Sequence, residues 1–308
     1  MKAVRIGTRG SLLARWQADY VRKKIFQATG VDAEIVVIKT TGDKLQQAPF
    51  SQIGGKGVFI KELEEALLEE QIDLAVHSVK DIPTDVPSGL CFPAVCRRDD
   101  ARDCLIAANG ATLASLRQGA RLGTSSLRRQ AQLRHLRPDL DVRDLRGNVD
   151  TRLRKVESGE YEAIVLAKAG LDRLGWSNRI SEVLAQETCM PAVGQGAIAV
   201  QARVKDAEFS DALAPLDDAE TRQSIVAERA LLAAVEGGCQ VPLGAWARFE
   251  KSELVMDAVV CSPDGTQMVR QRASGPQDQG RELGVKIAEM LLASGAREIL
   301  EGVYRQRG

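Results

Sequence analysis

Residues 58–83 read VFIKELEEALLEEQIDLAVHSVKDIP. Phe59, Leu63, Ala66 and Leu67 recur at helical spacing, which predicts a helix over 58–68 with those four side chains inward. The short apolar run Leu74-Ala75-Val76 predicts a strand that ends at His77-Ser78-Val79-Lys80-Asp81, ahead of Pro83. Upstream, Val4-Arg5-Ile6 reads as a first strand. Ser11 then caps a helix whose apolar side includes Leu12, Leu13, Trp16, Tyr20 and Ile25, and 35–38 is a second strand. Strand, helix and strand in alternation imply a mainly parallel sheet.

The pattern restarts near Asp103. Leu122 leads into Gly123-Thr124-Ser125-Ser126 and a helix through His135, and 142–145 leads into Arg146-Gly147-Asn148 and another helix. A strand over 163–167 precedes a Gly170 turn, and 191–198, rich in small residues, offers a path back to the first lobe. The last ninety residues change character. A helix over about 219–236 stops at Gly237-Gly238. Strands over 245–249, 253–261 and 267–273 follow, with Ser262-Pro263-Asp264-Gly265 as a turn, and a final helix covers about 279–293. The expected fold is two α/β lobes of the bilobal, periplasmic-binding-protein-like kind plus a small C-terminal α+β domain. The expected boundaries are 1–96 with 197–214, then 97–196, then 215–308.

The chain of 308 residues is too long for one small core. Lys+Arg and Asp+Glu balance at 42 each, so an anion site has to be local rather than a global field. Aromatics make up 4%, too few for a stacking platform on single-stranded nucleic acid. No secretory leader and no membrane-spanning run is read, which predicts a cytoplasmic protein. Cysteines 91, 96, 104, 189, 239 and 261 form no CxxC pair, and with two histidines no metal pattern exists.

Four segments carry chemistry. Gly123-Thr124-Ser125-Ser126-Leu127-Arg128-Arg129 places hydroxyls, amides and two guanidiniums at a helix start, where an anion is held by the dipole and by bidentate arginine. A plain cap with solvated arginines is the alternative for any one of them. Arg9, Arg146, Arg152 and Arg173 fall after other strands, at the carboxyl ends where α/β sheets bind ligands, and together they imply a polyanionic ligand. Lys80 and Asp81 are a surface ion pair or, among those arginines, a lone ionised acid able to pass a proton or face positive charge; His77 reads as a buried structural histidine. Gly54-Gly55-Lys56-Gly57 fails the phosphate-loop pattern and suits a lid whose Lys56 closes over an anion. Cys239, in Glu236-Gly237-Gly238-Cys239-Gln240-Val241-Pro242, is an exposed nucleophile or an inert thiol.

Taken in order, TRGSLLARWQA, GGKGVFIKELEEALL, HSVKDIP, GTSSLRRQ, LRGNVDTRL, LAKAGLDRLG, PAVGQGA and EGGCQVPLG resemble the porphobilinogen deaminase family over essentially the whole chain. The resemblance implies a transferase of tetrapyrrole biosynthesis that joins four porphobilinogen molecules into hydroxymethylbilane with release of ammonia. It implies a dipyrromethane cofactor bound as a thioether to Cys239. It makes Asp81 the main acid, with Lys80 beside it. The family's cofactor and substrate contacts map onto Arg9, Ser11, Lys56, Phe59, Thr124, Ser126, Arg128, Arg129, Arg146, Arg152, Arg173 and Gln195, with no metal. A monomer is expected, with porphobilinogen as partner and neither nucleic acid nor membrane. Two departures are noted: Gln52 where many relatives have lysine ahead of the lid glycines, and Gly10 between Arg9 and Ser11. A bilobal binding protein or regulator would not explain the EGGCQVP loop. Nucleic-acid binding through 121–155 is opposed by Asp139, Asp141, Asp144 and Asp150.

Overall fold

The computed structural model describes residues 4–44, 59–206, 212–235 and 241–305. Its chain divides into two compact units, 1–99 with 197–222, and 100–196 with 223–308.

In the first unit a five-stranded sheet runs in the order β2-β1-β3-β10-β4. Its strands are β1 (Val4–Thr8), β2 (Ala33–Val37), β3 (Leu74–Ser78), β4 (Leu90–Val95) and β10 (Ile198–Arg203). β1 is parallel to both β2 and β3, with Ile6 opposite Ile35 on one side and Leu74 on the other. β10 lies antiparallel between β3 and β4. The period of two explains how the centre fills. Leu74 and Val76 pack with Val21 and Ile25 of helix α1 (Leu12–Thr29), whereas Ala75 packs with Leu63 and Leu67 of helix α2 (Lys61–Leu68). Each large aliphatic side chain buried this way contributes about 2 kcal/mol. Gly7 of β1 makes room for Ile72, which precedes β3: a Cβ there would stand 2.2 Å from Ile72 Cδ1.

In the second unit one sheet runs β7-β6-β8-β5-β9. Its strands are β5 (Asp103–Ala107), β6 (Arg121–Gly123), β7 (Asp141–Arg143), β8 (Ala163–Ala167) and β9 (Glu182–Val183). β6 is parallel to β7 and β8; β5 is antiparallel to β8 and β9. Both sheets therefore carry three parallel strands followed by an antiparallel one. Central β8 is apolar on both faces. Val165 joins Leu133 of helix α3 (Leu127–Leu136), and Ile164 and Leu166 join Leu153 and Val156 of helix α4 (Val149–Glu157).

The same unit holds an antiparallel sheet of β11 (Leu243–Glu250), β12 (Glu253–Cys261) and β13 (Met268–Gly275). Helices α6 (Ala219–Ala234), α7 (Gly280–Leu291) and α8 (Arg297–Arg305) complete it, α5 being Lys168–Arg173. Leu231, Leu254, Met256, Ile287, Leu291 and Leu300 share its core. The β12–β13 turn seats on the end of α3: Arg134 Nη1 donates to the Pro263 carbonyl at 2.8 Å, and His135 Nδ1 meets the Gly265 carbonyl at 2.7 Å.

The structure amends three expectations. The chain after β8 enters α5 directly, with Gly170 buried inside the helix rather than forming a turn. The C-terminal helix does not stop near 293; it breaks at Gly295, φ 103°, and resumes as α8, burying Ile299, Leu300 and Val303. Strands β4, β9 and β10 were not anticipated, and the double-glycine stop at 237–238 lies outside the described residues.

Candidate functional site

In the first unit the carboxyl ends of β1 and β3 open one pocket. Arg9, Ser11, Phe59, His77, Lys80 and Asp81 all line it. Ser11 caps α1, its Oγ accepting from the Ala14 amide at 3.2 Å, so the amino end of an 18-residue helix faces the pocket wall. Lys80 and Asp81 sit on a single helical turn, Val79–Asp81, directly after β3. Gln17 donates from Nε2 to Ser78 Oγ at 2.9 Å and pins the end of that strand to α1.

Arg9 lies 4.0 Å above the Phe59 ring and donates from Nη2 to Asp43 Oδ1 at 2.6 Å. Burial pushes the Asp43 carboxyl up, but Arg9 and the Thr40 donors outweigh it and hold the group below its usual range. The Phe59 ring rests on Gly42, where a Cβ would come within 2.1 Å of the ring. His77 is 5% exposed and meets Gln201 Oε1 through Nε2 at 2.9 Å. Burial, opposed by that hydrogen bond and aided by the Arg9 charge, drives its pKa down to about 4, so the ring is neutral at pH 7. The Asp81 carboxylate has no hydrogen bond or ion pair among the described residues.

The second unit holds the other group of candidates. Ser126 caps α3 and Thr124 Oγ1 accepts from the Ser126 amide at 3.2 Å, so the Gly-Thr-Ser-Ser turn is fixed at the helix start. Arg128 and Arg129 are not solvated. They are 4% and 6% exposed, and both bind Asp103, which is fully buried. Burial opposes ionisation of Asp103, but the two guanidiniums overcome it and keep the carboxyl far below the ordinary range. Gln195 reaches the same carboxylate, its Nε2 lying 2.9 Å from Oδ1. Cys189 touches it too, and burial with the Asp103 charge pushes that thiol up to about 12, which makes it inert at neutral pH. Arg152 Nε donates to the Gly147 carbonyl at 2.7 Å, and Arg173 Nη2 to the Gly196 carbonyl at 2.7 Å. Arg146 occupies the β7–α4 turn and is half-buried.

The structure thus gathers five candidates, Arg9, Ser11, Phe59, Lys80 and Asp81, in one pocket, and three more, Arg128, Arg129 and Gln195, around one acid. Lys56, Cys239 and Gln52 lie outside the described residues. Asp43 and Asp103 went unread in the sequence. Neither carries a signal of its own: Asp43 stands in the short polar stretch Thr41-Gly42-Asp43-Lys44, and Asp103 ends a charged run that begins at Arg97.

The family model described as porphobilinogen deaminase, dipyromethane cofactor binding domain, matches residues 4–211, and the porphobilinogen deaminase C-terminal domain matches 223–293. The porphobilinogen deaminase of Syntrophobacter fumaroxidans is 46% identical over 306 residues, spanning 99% of each chain. Among solved structures, the methionine-binding protein MetQ aligns at a TM-score of 0.43 and 12% identity, over 75% of this chain and 93% of its own. The VFT2 domain of Bordetella pertussis BvgS aligns at 0.41 and 16%, over 70% and 86%. With both domain matches in order and near-complete coverage by a relative of that identity, the chain belongs to the porphobilinogen deaminase family, transferases of tetrapyrrole synthesis that work with a dipyrromethane cofactor.

Proposed function

We propose that Asp81 is the acid of the deaminase reaction in this chain, and that Cys239 anchors the dipyrromethane cofactor. The reaction joins four porphobilinogen molecules head to tail, releases ammonia and yields hydroxymethylbilane. The observation that carries the assignment is the pocket itself: among the described residues Asp81 has no hydrogen bond or ion pair there, and it stands beside Lys80 within the same walls as Arg9, Ser11 and Phe59. Asp81 is placed to give a proton to the aminomethyl nitrogen of porphobilinogen as the C–N bond breaks and ammonia leaves. The methylene carbon of the resulting cation bonds to the next pyrrole carbon, and Asp81, now a carboxylate, takes the proton which that carbon releases. Lys80 adds a positive charge for substrate carboxylates, and Phe59 offers a ring face to a pyrrole.

The residues suit the cofactor. Among the described residues Arg128 Nε is buried with no hydrogen-bond partner, a donor matched to a carboxylate, and dipyrromethane bears acetate and propionate groups. Arg128, Arg129, Thr124 and Ser126 would hold carboxylates of the cofactor and of the porphobilinogen added to it, and Cys239 the thioether. When bound, the cofactor supplies the pyrrole end onto which substrate units are added. Arg9, Ser11, Lys56, Arg146, Arg152, Arg173 and Gln195 serve the substrate chain. Arg9 exchanges Asp43 for a substrate carboxylate.

Intact-protein mass spectrometry of the purified enzyme is expected to show a two-pyrrole adduct that peptide mapping places on Cys239. Asp81→Asn keeps that adduct and the fold but loses turnover by a factor of about a hundred or more. Undiminished product formation, or an adduct elsewhere, overturns the reading. We further propose a cytoplasmic monomer in which 215–308 forms a third domain. Among the described residues no helix is long and apolar enough to cross a membrane. A dimer in sedimentation velocity would refute the monomer.

A further inference from the structure

We propose that Asp103 is a positioning residue for the deaminase reaction, holding Arg128, Arg129 and Gln195 in one preformed arrangement. The inference rests on the reading that these arginines bind carboxylates, and adds the residue that sets their geometry.

Asp103 opens β5, where its backbone lies in register with Ala167 of β8. That places the carboxylate on a rigid strand rather than a loop. Both oxygens are engaged. Oδ1 accepts from Arg129 Nε at 3.1 Å, Arg129 Nη2 at 2.7 Å and Gln195 Nε2 at 2.9 Å. Oδ2 accepts from Arg128 Nη1 at 2.7 Å and from the Cys189 thiol at 3.3 Å. The far sides of the same groups are fixed to backbone. Arg129 Nη1 donates to the Val165 carbonyl at 3.1 Å, and Gln195 Nε2 to the Ala101 carbonyl at 2.6 Å.

Charge decides what this arrangement is for. One carboxylate faces two guanidiniums, so the buried cluster retains one positive charge. Among the described residues Arg128 Nε is buried without a hydrogen-bond partner. A second carboxylate brought by a ligand balances the charge and takes that donor. Because Asp103 has already ordered the long arginine side chains, the ligand is spared the entropy of doing so.

Asp103→Asn keeps the shape and removes the charge. In the cofactor-loaded enzyme KM for porphobilinogen is expected to rise about tenfold or more, with kcat changed far less. Loss of the cofactor adduct from a protein that stays folded supports the proposal equally. Arg128→Gln raises KM as well, and the double variant falls short of the product of the two single effects because both act through one contact. Multiplying effects, or an Asp103→Asn enzyme that is less stable but has an unchanged KM, overturn the proposal. If Arg128→Gln itself leaves KM unchanged, the carboxylate-binding reading fails and this inference with it. If only Asp103→Asn is silent, this inference alone fails. Should Asp103→Asn not accumulate in folded form, nitrogen NMR of the wild-type arginine side chains decides. Separate, slowly exchanging Nη signals for Arg128 and Arg129 before porphobilinogen is added support the arrangement, and averaged signals refute it.

Discussion

His77 shows how much a single residue can conceal. Its neighbours Lys80 and Asp81 line the same pocket, yet the ring is a sealed, neutral hydrogen-bonding group. In the unfolded chain it takes up a proton near 6.5, whereas in the folded protein it resists until about 4. Between those values the unfolded state binds more protons, so stability falls as the pH falls, by on the order of 3 kcal/mol for this group. His77→Gln is expected to flatten the drop in melting temperature between pH 6.5 and 4 that calorimetry records for the wild type; parallel curves would refute this. At this scale the motif residues were legible because glycine, proline and paired arginines mark them. Asp103 was not. An acid heading an apolar strand is unremarkable until its zero exposure and the arginines around it are seen together.

Among the elements, the turns do the most specific work. Gly265 adopts φ +80°, and a Cβ there would stand 2.6 Å from the His135 amide nitrogen, because the β12–β13 turn presses on the end of α3. Gly159 adopts φ +74° with nothing within 4 Å. Gly159→Ala is expected to cost about 1 kcal/mol from backbone conformation alone. Gly265→Ala adds the collision and costs roughly 3 kcal/mol in urea unfolding. Equal costs would mean that the turn does not bear on the helix. Strands β1, β3 and β8 and helices α1 and α3 were readable from apolar period and capping serine. Helix α8 was not, because Ser294-Gly295 reads as a stop. It is one, but for a single residue, after which Ile299, Leu300 and Val303 restart the apolar stripe. β4 carries Pro93 and β9 has two residues, too little pattern for a strand to be inferred.

For the whole molecule, connectivity matters more than any contact. The first sheet takes its fourth strand, β10, from beyond the second sheet, and places it between β3 and β4. The small-residue stretch 191–198 hinted at that return; the strand's central position could not be inferred, since no local pattern encodes which neighbours a strand will have. A fragment of residues 1–99 therefore lacks the strand that joins its edge to its centre. It is expected to be unfolded by circular dichroism and to gain structure when a peptide of 197–222 is added. A stable, cooperatively melting 1–99 fragment would count against this. The same threading sets an order on the ribosome. All five strands of the second sheet emerge between residues 103 and 183, before Ile198 exists as a partner for β3. The part of the enzyme translated later can finish first, while the earlier part waits with an open seam for the returning chain.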